Sequence, residues 1–249
     1  MSSNRLLGRS WGLNRGEESF LGVPVGMITL AGCSAACLFC YLAAAEAHPV
    51  ALDPSAFVAI AQDLARRGAT CLYLVNPEVS CHELLGEALA AVRRLEPEWP
   101  IVLKLGGHEP LALARALRPW TDAVSLDVKV FGPADAATVV GCPDYAERVR
   151  ALADFWRTEL GPWPGDRPTP QGVWFRHVVL PERAHGWGDG LRAVDPTGRV
   201  PVWVTLHYRP FGRARQHPVL GRRLEAAERQ AAVEVARGLQ REGRTVWLA

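Results

Sequence analysis

The chain has 249 residues, 49% hydrophobic and 22% charged, a balance that excludes a low-complexity disordered protein. Its 28 Lys and Arg stand against 26 Asp and Glu, a formal +2 too even for an electrostatic nucleic-acid binder, and its apolar runs, broken by Gly or Pro, are strand-sized and far short of a membrane span. The opening MSSNRLLGRS has no apolar secretion core, so a cytoplasmic protein without nucleic-acid or membrane partners is expected, its six cysteines kept as thiols.

In chain order, VPVGMITLAG (23–32) reads as a first strand running straight into the loop GCSAACLFCY (32–41). DPSAFVAIAQDLARRG (53–68) reads as a helix capped by Asp53 with Pro54 at its first position. The alternation then repeats: strand 69–76, helix 81–98, strand 100–107, helix 109–120, strand 123–131 and a helix near 143–158. A Pro/Gly-rich loop (160–172) leads to strands at 172–181 and 200–208, a helix at 222–243 and a short tail strand, RTVWLA. Six strands alternating with helices predict an α/β fold, a partial (β/α)6-type TIM barrel in a single domain. Its core spans 23–215, after an N-terminal extension (1–22) and before a C-terminal helix and short strand (216–249). Function is expected in loops at the carboxyl ends of the strands.

Cys33, Cys37 and Cys40 crowd into eight positions of the first such loop. Thiolates at this spacing can converge on a soft metal centre. A structural zinc site needs a fourth protein ligand, for which His48 is the nearest candidate. A [4Fe-4S] cluster held by three cysteines instead keeps one iron open for a substrate or cofactor. Plain packing of thiols in a loop is the remaining reading.

The segment Cys33-x-x-x-Cys37-x-Phe39-Cys40, placed directly after the first strand, resembles the defining motif of radical S-adenosylmethionine (SAM) enzymes. VNPEVS, SLDVKVF, VGCPDYAERVRAL, VWFRHVVLPE and LHYRPFGRAR resemble the corresponding stretches of pyruvate formate-lyase activating enzyme relatives, especially an activase-like branch, over roughly residues 20–215. The resemblance implies a [4Fe-4S] cluster on the three cysteines, SAM chelated at the open iron, and reductive cleavage to methionine and a 5′-deoxyadenosyl radical that takes hydrogen from a substrate. It implies a one-electron donor such as flavodoxin or ferredoxin. The substrate is a small molecule or, alternatively, a glycyl-radical partner protein. A non-catalytic metal-binding module is the reading from outside enzymology.

The same resemblance assigns residues. Phe39 stands where an aromatic lies beside the adenine. Asn76 and Glu78 occupy the stretch that holds the SAM amino group, although the usual glycines are absent there. Asp127 and Lys129 alternate in one strand and so share a face, which a barrel turns toward its lumen. The matching acid-x-basic pair in the activating enzymes lies at the SAM pocket. Arg176 is expected to reach the cofactor region, and His177, its strand neighbour, to face the opposite way. His207 and Tyr208 sit at the end of the last barrel strand, with His207 where the branch often has Gln, and Arg209 follows. Cys142 reads as a loop cysteine, Cys71 as a strand-core residue and Cys81 as a helix-start residue. The stretch Gly12-Leu13-Asn14-Arg15 keeps a branch signature without its upstream cysteines, so a single cluster is expected. A small-molecule enzyme would close its mouth with segments such as 159–172 and 182–199.

Overall fold

The computed structural model describes residues 6–44, 48–78, 84–165 and 169–249. The first strand, β1 (Leu6–Leu13), leads through a short helix, α1 (Arg15–Leu21), into β2 (Val25–Leu30), with which it pairs antiparallel. The cysteine loop and α2 (Tyr41–Ala44) follow, then β3 (Val50–Leu52), which pairs antiparallel with the other edge of β1. From there the chain alternates regularly. α3 (Pro54–Arg66), β4 (Cys71–Val75), α4 (Leu85–Leu95), β5 (Ile101–Leu105), α5 (Leu111–Leu117) and β6 (Ala123–Asp127) come first. A short α6 (Pro133–Asp135) runs into a π turn at Ala136–Val140, and α7 (Tyr145–Leu160), β7 (Gly172–Val178), α8 (Trp187–Val194), β8 (Val202–Thr205), α9 (Ala226–Arg241) and β9 (Val246–Leu248) complete the chain.

The sheet order is β3-β1-β2-β4-β5-β6-β7-β8-β9, with every pair from β2 through β9 parallel. The sheet does not close, so the α/β partial barrel expected from the alternation is what forms. Its edges differ from expectation. The tail strand joins as a seventh parallel strand, and the N-terminal extension supplies β1 and α1. Neither addition has a strong pattern of its own. β1 carries Gly8, Arg9, Ser10 and Gly12 and gains its stability by bridging β2 and β3.

Strand side chains alternate between two environments. Ile28, Leu72, Leu74, Leu103, Val124, Leu126, Phe175 and Val204 pack outward under helix residues such as Phe57, Leu64, Leu89, Val149, Trp156, Leu191 and Leu239. Each such side chain contributes about 1.5–3 kcal/mol by leaving water. Tyr73, Val102, Ala123 and Trp174 face inward with Trp163, packed by Phe20, Leu21 and Trp247. Helix starts are set locally: Asp53 accepts the Ala56 amide at 2.8 Å ahead of Pro54, and Glu225 and Glu228 form a capping box at α9.

Of the segments expected to close the mouth, only the start of 182–199 reaches it among the described residues, where Glu182, Arg183, Gly186 and Trp187 wall a cavity beside Lys129. Residues 182–199 hold α8, the outer-layer crossover helix between β7 and β8, and Gly190 gives Phe131 its seat there, since a Cβ would lie 1.9 Å from the ring. The described residues before β7 lie at the opposite end, with Pro162 bridged to Val173 and the Trp163 ring tilted against Trp174 at 5.1 Å.

Candidate functional site

The cysteine loop leaves β2 and is pinned on both flanks. Ala36 and Leu38 donate their amides to Val140 O (3.0 Å) and Val139 O (2.8 Å), and Leu38 O accepts the Ala214 amide at 2.9 Å. Arg213 also donates to Ala36 O. Gly141, at φ +69°, lets this approach occur, since a Cβ there would stand 2.8 Å from that of Ala36.

Cys33, Cys37 and Cys40 line one cleft of about 700 Å³, together with Asn76 and the cationic side chains of Arg9, Arg213 and Arg215. Cys33 is exposed and the other two are half-buried. Burial pushes the Cys37 thiol up to about 11, against the opposing pull of the Lys129 ammonium. Cys40 Sγ accepts the Ala43 amide at 3.4 Å. Three soft donors lining one cleft with arginines could hold a soft metal centre. The donors that do lie within 4.8 Å of one another, among the described residues, are Cys33, Glu78 and His108. That tighter group is single-ion sized, whereas the thiolates of a multi-iron cluster bind different irons and stand further apart.

Asn76 and Glu78 tie the end of β4 to this loop. Asn76, at φ +60°, donates its amide group to Gly32 O and to Leu30 O (3.4 Å). Glu78 is buried and accepts the Ser34 amide at 2.8 Å. His108, from the loop after β5, places Nε2 3.4 Å from Cys33 Sγ and 3.5 Å from Glu78 Oε2. Although burial opposes protonation of His108, its bonds to Cys33 and Glu78 and the charge of Glu109 raise it to about 10. The next residue, Glu109, folds back onto its own loop, accepting the amides of Gly106 (2.6 Å) and Gly107 (2.9 Å).

Asp127 and Lys129 meet as their shared face requires, Nζ to Oδ2 at 2.7 Å, and Lys104 of β5 binds the other carboxylate oxygen. Burial disfavours the Asp127 charge, but the two ammonium groups hold its carboxyl well below the usual range. Desolvation lowers Lys104, while Asp127 overcomes desolvation at Lys129 and raises it. Lys129 also donates to Gly106 O at 2.9 Å, and Tyr145 OH accepts the Lys129 amide at 2.9 Å while lying 2.9 Å from Asp127 O. Two lysine side chains thus share one carboxylate at the carboxyl ends of β5 and β6.

The remaining assignments scatter. Arg176 pairs with Glu17 of α1, and its guanidinium lies 4.6 Å from the Trp203 ring centroid. Asn14 caps that helix, accepting the amides of Gly16 (3.0 Å) and Glu17 (3.1 Å), so the GLNR signature builds the element that meets Arg176. His177 faces the other way as expected: Nδ1 lies 2.7 Å from Val128 O, the ring stacks on Trp187 at 5.5 Å, and burial lowers it to about 4. Phe39 is half-buried with its ring 6.4 Å from Tyr208. His207 and Arg209 are exposed in the loop beyond β8, outside the lining of the cysteine cleft. Cys142 donates to Asp144 Oδ1 at 3.2 Å, Cys71 is buried in β4, and Cys81 lies outside the described residues.

Sequence reasoning missed Lys104, His108, Glu109, Tyr145 and Glu17. Two signals were present: a lysine inside the apolar run IVLKL, and an acid and a histidine directly after a Gly-Gly pair at a strand end.

No family model and no curated protein matches this sequence. Among solved structures the chain resembles the crystal structure of Streptococcus suis SuiB, with a TM-score of 0.64 and 12% identity over 94% of this chain. That likeness is one of fold, and the chain spans about half (51%) of the length of that protein. No helix among the described residues is long and apolar enough to cross a membrane.

Proposed function

We propose that this protein is a radical SAM enzyme that abstracts hydrogen from a substrate. The observation that carries the reading is the placement of Cys33, Cys37 and Cys40 on a single cleft at the carboxyl end of the first parallel strand, with no fourth thiol among the described residues lining it. Cys33, Cys37 and Cys40 would hold a [4Fe-4S] cluster there, and it would supply the one-electron reduction by which SAM becomes a hydrogen-abstracting reagent.

The chain's own residues bind, orient and shield. Glu78 and Asn76 stand beside Cys33 as acceptors for an ammonium group. Lys104 and Lys129 around Asp127 offer positive charge to a carboxylate and keep the mouth preorganised. The exposed Cys33 side gives a one-electron donor such as flavodoxin or ferredoxin a short path to the centre. A cavity of about 280 Å³ beside Lys129, walled by Phe131, His177 and Trp187, suits a small-molecule substrate. A second reading, activation of a glycyl-radical protein, draws support from the described residues of 159–172, which lie at the end opposite the mouth.

Anaerobic reconstitution tests the proposal. About four irons with matching sulfide per chain are expected, with an electron paramagnetic resonance (EPR) signal that changes on SAM addition. Reductant should then yield methionine and 5′-deoxyadenosine, and deuterium from the attacked carbon should enter the 5′ position. A stoichiometric zinc site without sulfide, or S-adenosylhomocysteine as the only product, would defeat it. Presenting small molecules and a glycyl-radical protein separately, and following which accelerates 5′-deoxyadenosine formation, decides between the two substrate classes.

A further inference from the structure

We infer that His108 is a positioning residue for the cluster: its Nε2–H donates a hydrogen bond to the sulfur of Cys33, holding that thiolate in place and making the cluster easier to reduce. The inference rests on the radical SAM reading and adds to it a residue that no part of the cysteine motif contains.

The His108 side chain is 3% exposed, and a single ring atom, Nε2, faces both Cys33 Sγ and Glu78 Oε2. Both partners are acceptors when ionised, so the proton belongs on Nε2. The other nitrogen, Nδ1, is buried without a partner. An imidazole that ligates a metal normally donates its second N–H to a carboxylate, carbonyl or water. Among the described residues nothing fills that role, so the geometry fits a donor to sulfur better than a ligand of an ion at Cys33, Glu78 and His108.

The ring is also locked. Gly106 leaves the space it occupies, since a Cβ there would lie 2.6 Å from Nδ1 and from Cε1. The Glu109 carboxylate clamps the amides of Gly106 and Gly107, and Arg148 donates to His108 O at 3.1 Å. Gly107, at φ +85°, sits where a Cβ would meet Asp127 O at 2.5 Å, so the loop that aims His108 is fitted against the Asp127–Lys129 pair.

The effect on the cluster follows from charge. Reduction adds one electron to a centre whose negative charge is shared with its cysteine sulfurs, so a donor to sulfur gains strength in the reduced state. Hydrogen bonds to the sulfurs are among the factors that set cluster potentials. Glu78 Oε2, 3.5 Å from the same nitrogen, shares this N–H with Cys33, which couples the acceptor proposed for an ammonium group to the cluster ligand.

The test compares wild type, His108→Phe and His108→Gln after anaerobic reconstitution, with iron, sulfide and the EPR-detected midpoint potential measured on each. His108→Phe keeps the bulk and removes the donor. It should load its irons and reduce about tenfold less favourably, a fall of about 59 mV for one electron. His108→Gln places an N–H near the same point and should recover most of that loss. Equal potentials in all three loaded proteins would overturn the inference while leaving the radical SAM reading intact.

A wild-type measurement covers the case in which His108→Phe does not fold. In the reduced cluster of ¹⁵N-histidine-labelled protein, electron–nuclear double resonance should show a weak ¹⁵N coupling with an exchangeable proton. A strong coupling, as from nitrogen bound to iron, overturns the hydrogen-bond role. Failure of the wild type to assemble any cluster removes the reading and this inference together.

Discussion

At the carboxyl ends of the parallel strands the sheet carries Glu78, His108, Asp127, Lys104 and Lys129 beside three thiols. At the amino ends the inner face carries rings: Phe20 lies 4.0 Å from Trp203 and 5.0 Å from Trp163, which in turn lies 5.1 Å from Trp174. The same strands build both ends, so the difference comes from which position along each strand a residue holds. Apolar rings at the floor gain free energy simply by leaving water. Charges at the mouth gain nothing until each is paired, and Asp127 is paired twice. The floor holds the fold together, and the mouth spends part of that stability on placed charge.

The largest effects should divide cleanly between the ends. Replacing Cys33, Cys37 or Cys40 with Ala should abolish cluster assembly and SAM cleavage, while Cys71→Ala and Cys81→Ala retain the irons. Iron analysis against urea midpoint separates loading from folding. At the floor, Trp174→Ala should cost about 3–5 kcal/mol by opening a cavity, yet leave iron per folded chain unchanged. Trp174→Phe should cost less, because it removes a buried indole N–H that has no partner among the described residues. Loss of the cluster in a folded Trp174 variant would mean that the two ends are not separable.

Acid should act on the mouth. His177 is neutral in the fold, lowered to about 4 by burial, against an ordinary value of 6.5. Between those values the unfolded chain binds the extra proton, so stability falls as pH falls through 6.5 and levels off below about 4. From pH 6.5 to 4.5 the loss attributable to this ring is about 2 kcal/mol. Urea titrations of wild type and His177→Asn should therefore converge in slope only above pH 7, and parallel curves throughout the acid range would remove His177 from the account.

A smaller effect belongs to the charge cluster. Asp127→Ala leaves Lys104 and Lys129 without their counter-ion, and because the three side chains keep contact with water the cost is about 2 kcal/mol, below that of a fully buried pair. SAM affinity and the rate of 5′-deoxyadenosine formation should fall with iron content near wild type. Unchanged SAM affinity in a folded, loaded variant would make the cluster structural only.

How legible each end was follows from the same contrast. Elements whose stability is local, such as α3 with Asp53 and Pro54 at its start or β6 running out through Asp127 toward Lys129, showed in the pattern. The cysteine spacing showed because one short segment carries it. β3 is an edge strand and β1 lies between it and β2, both stabilised by pairing, and α8 carries Gly188 and Gly190 because neighbours press on it, so none of the three has a propensity signal. The site was half visible for a related reason. Asp127 and Lys129 lie two apart, but the contacts of Lys104 with Asp127 and of His108 with Cys33 cross 23 and 75 residues. Only the parallel register of β5 against β6 brings Lys104 opposite Ser125, one pleat from Asp127.

The gentlest probe of the two ends is Asn14. It lies at neither the cysteine cleft nor the ring cluster, but caps α1, the helix that sends Phe20 and Leu21 to the floor and Glu17 to Arg176. Its side chain accepts two helix amides and donates to Met27 Sδ at 3.0 Å. Losing an N-cap of this kind costs about 1 kcal/mol, which for a chain of this length lowers Tm by about 2–4 °C. Asn14→Ala should show that shift by calorimetry, and Asn14→Ser should restore most of it. Because α1 reaches the lumen through Glu17 and not the cysteine loop, iron loading should stay at the wild-type level and the cluster potential should not move. A shift in potential with Asn14→Ala would show that the Glu17–Arg176 pair carries charge information from floor to mouth, and the division between the two ends would have to be redrawn around it.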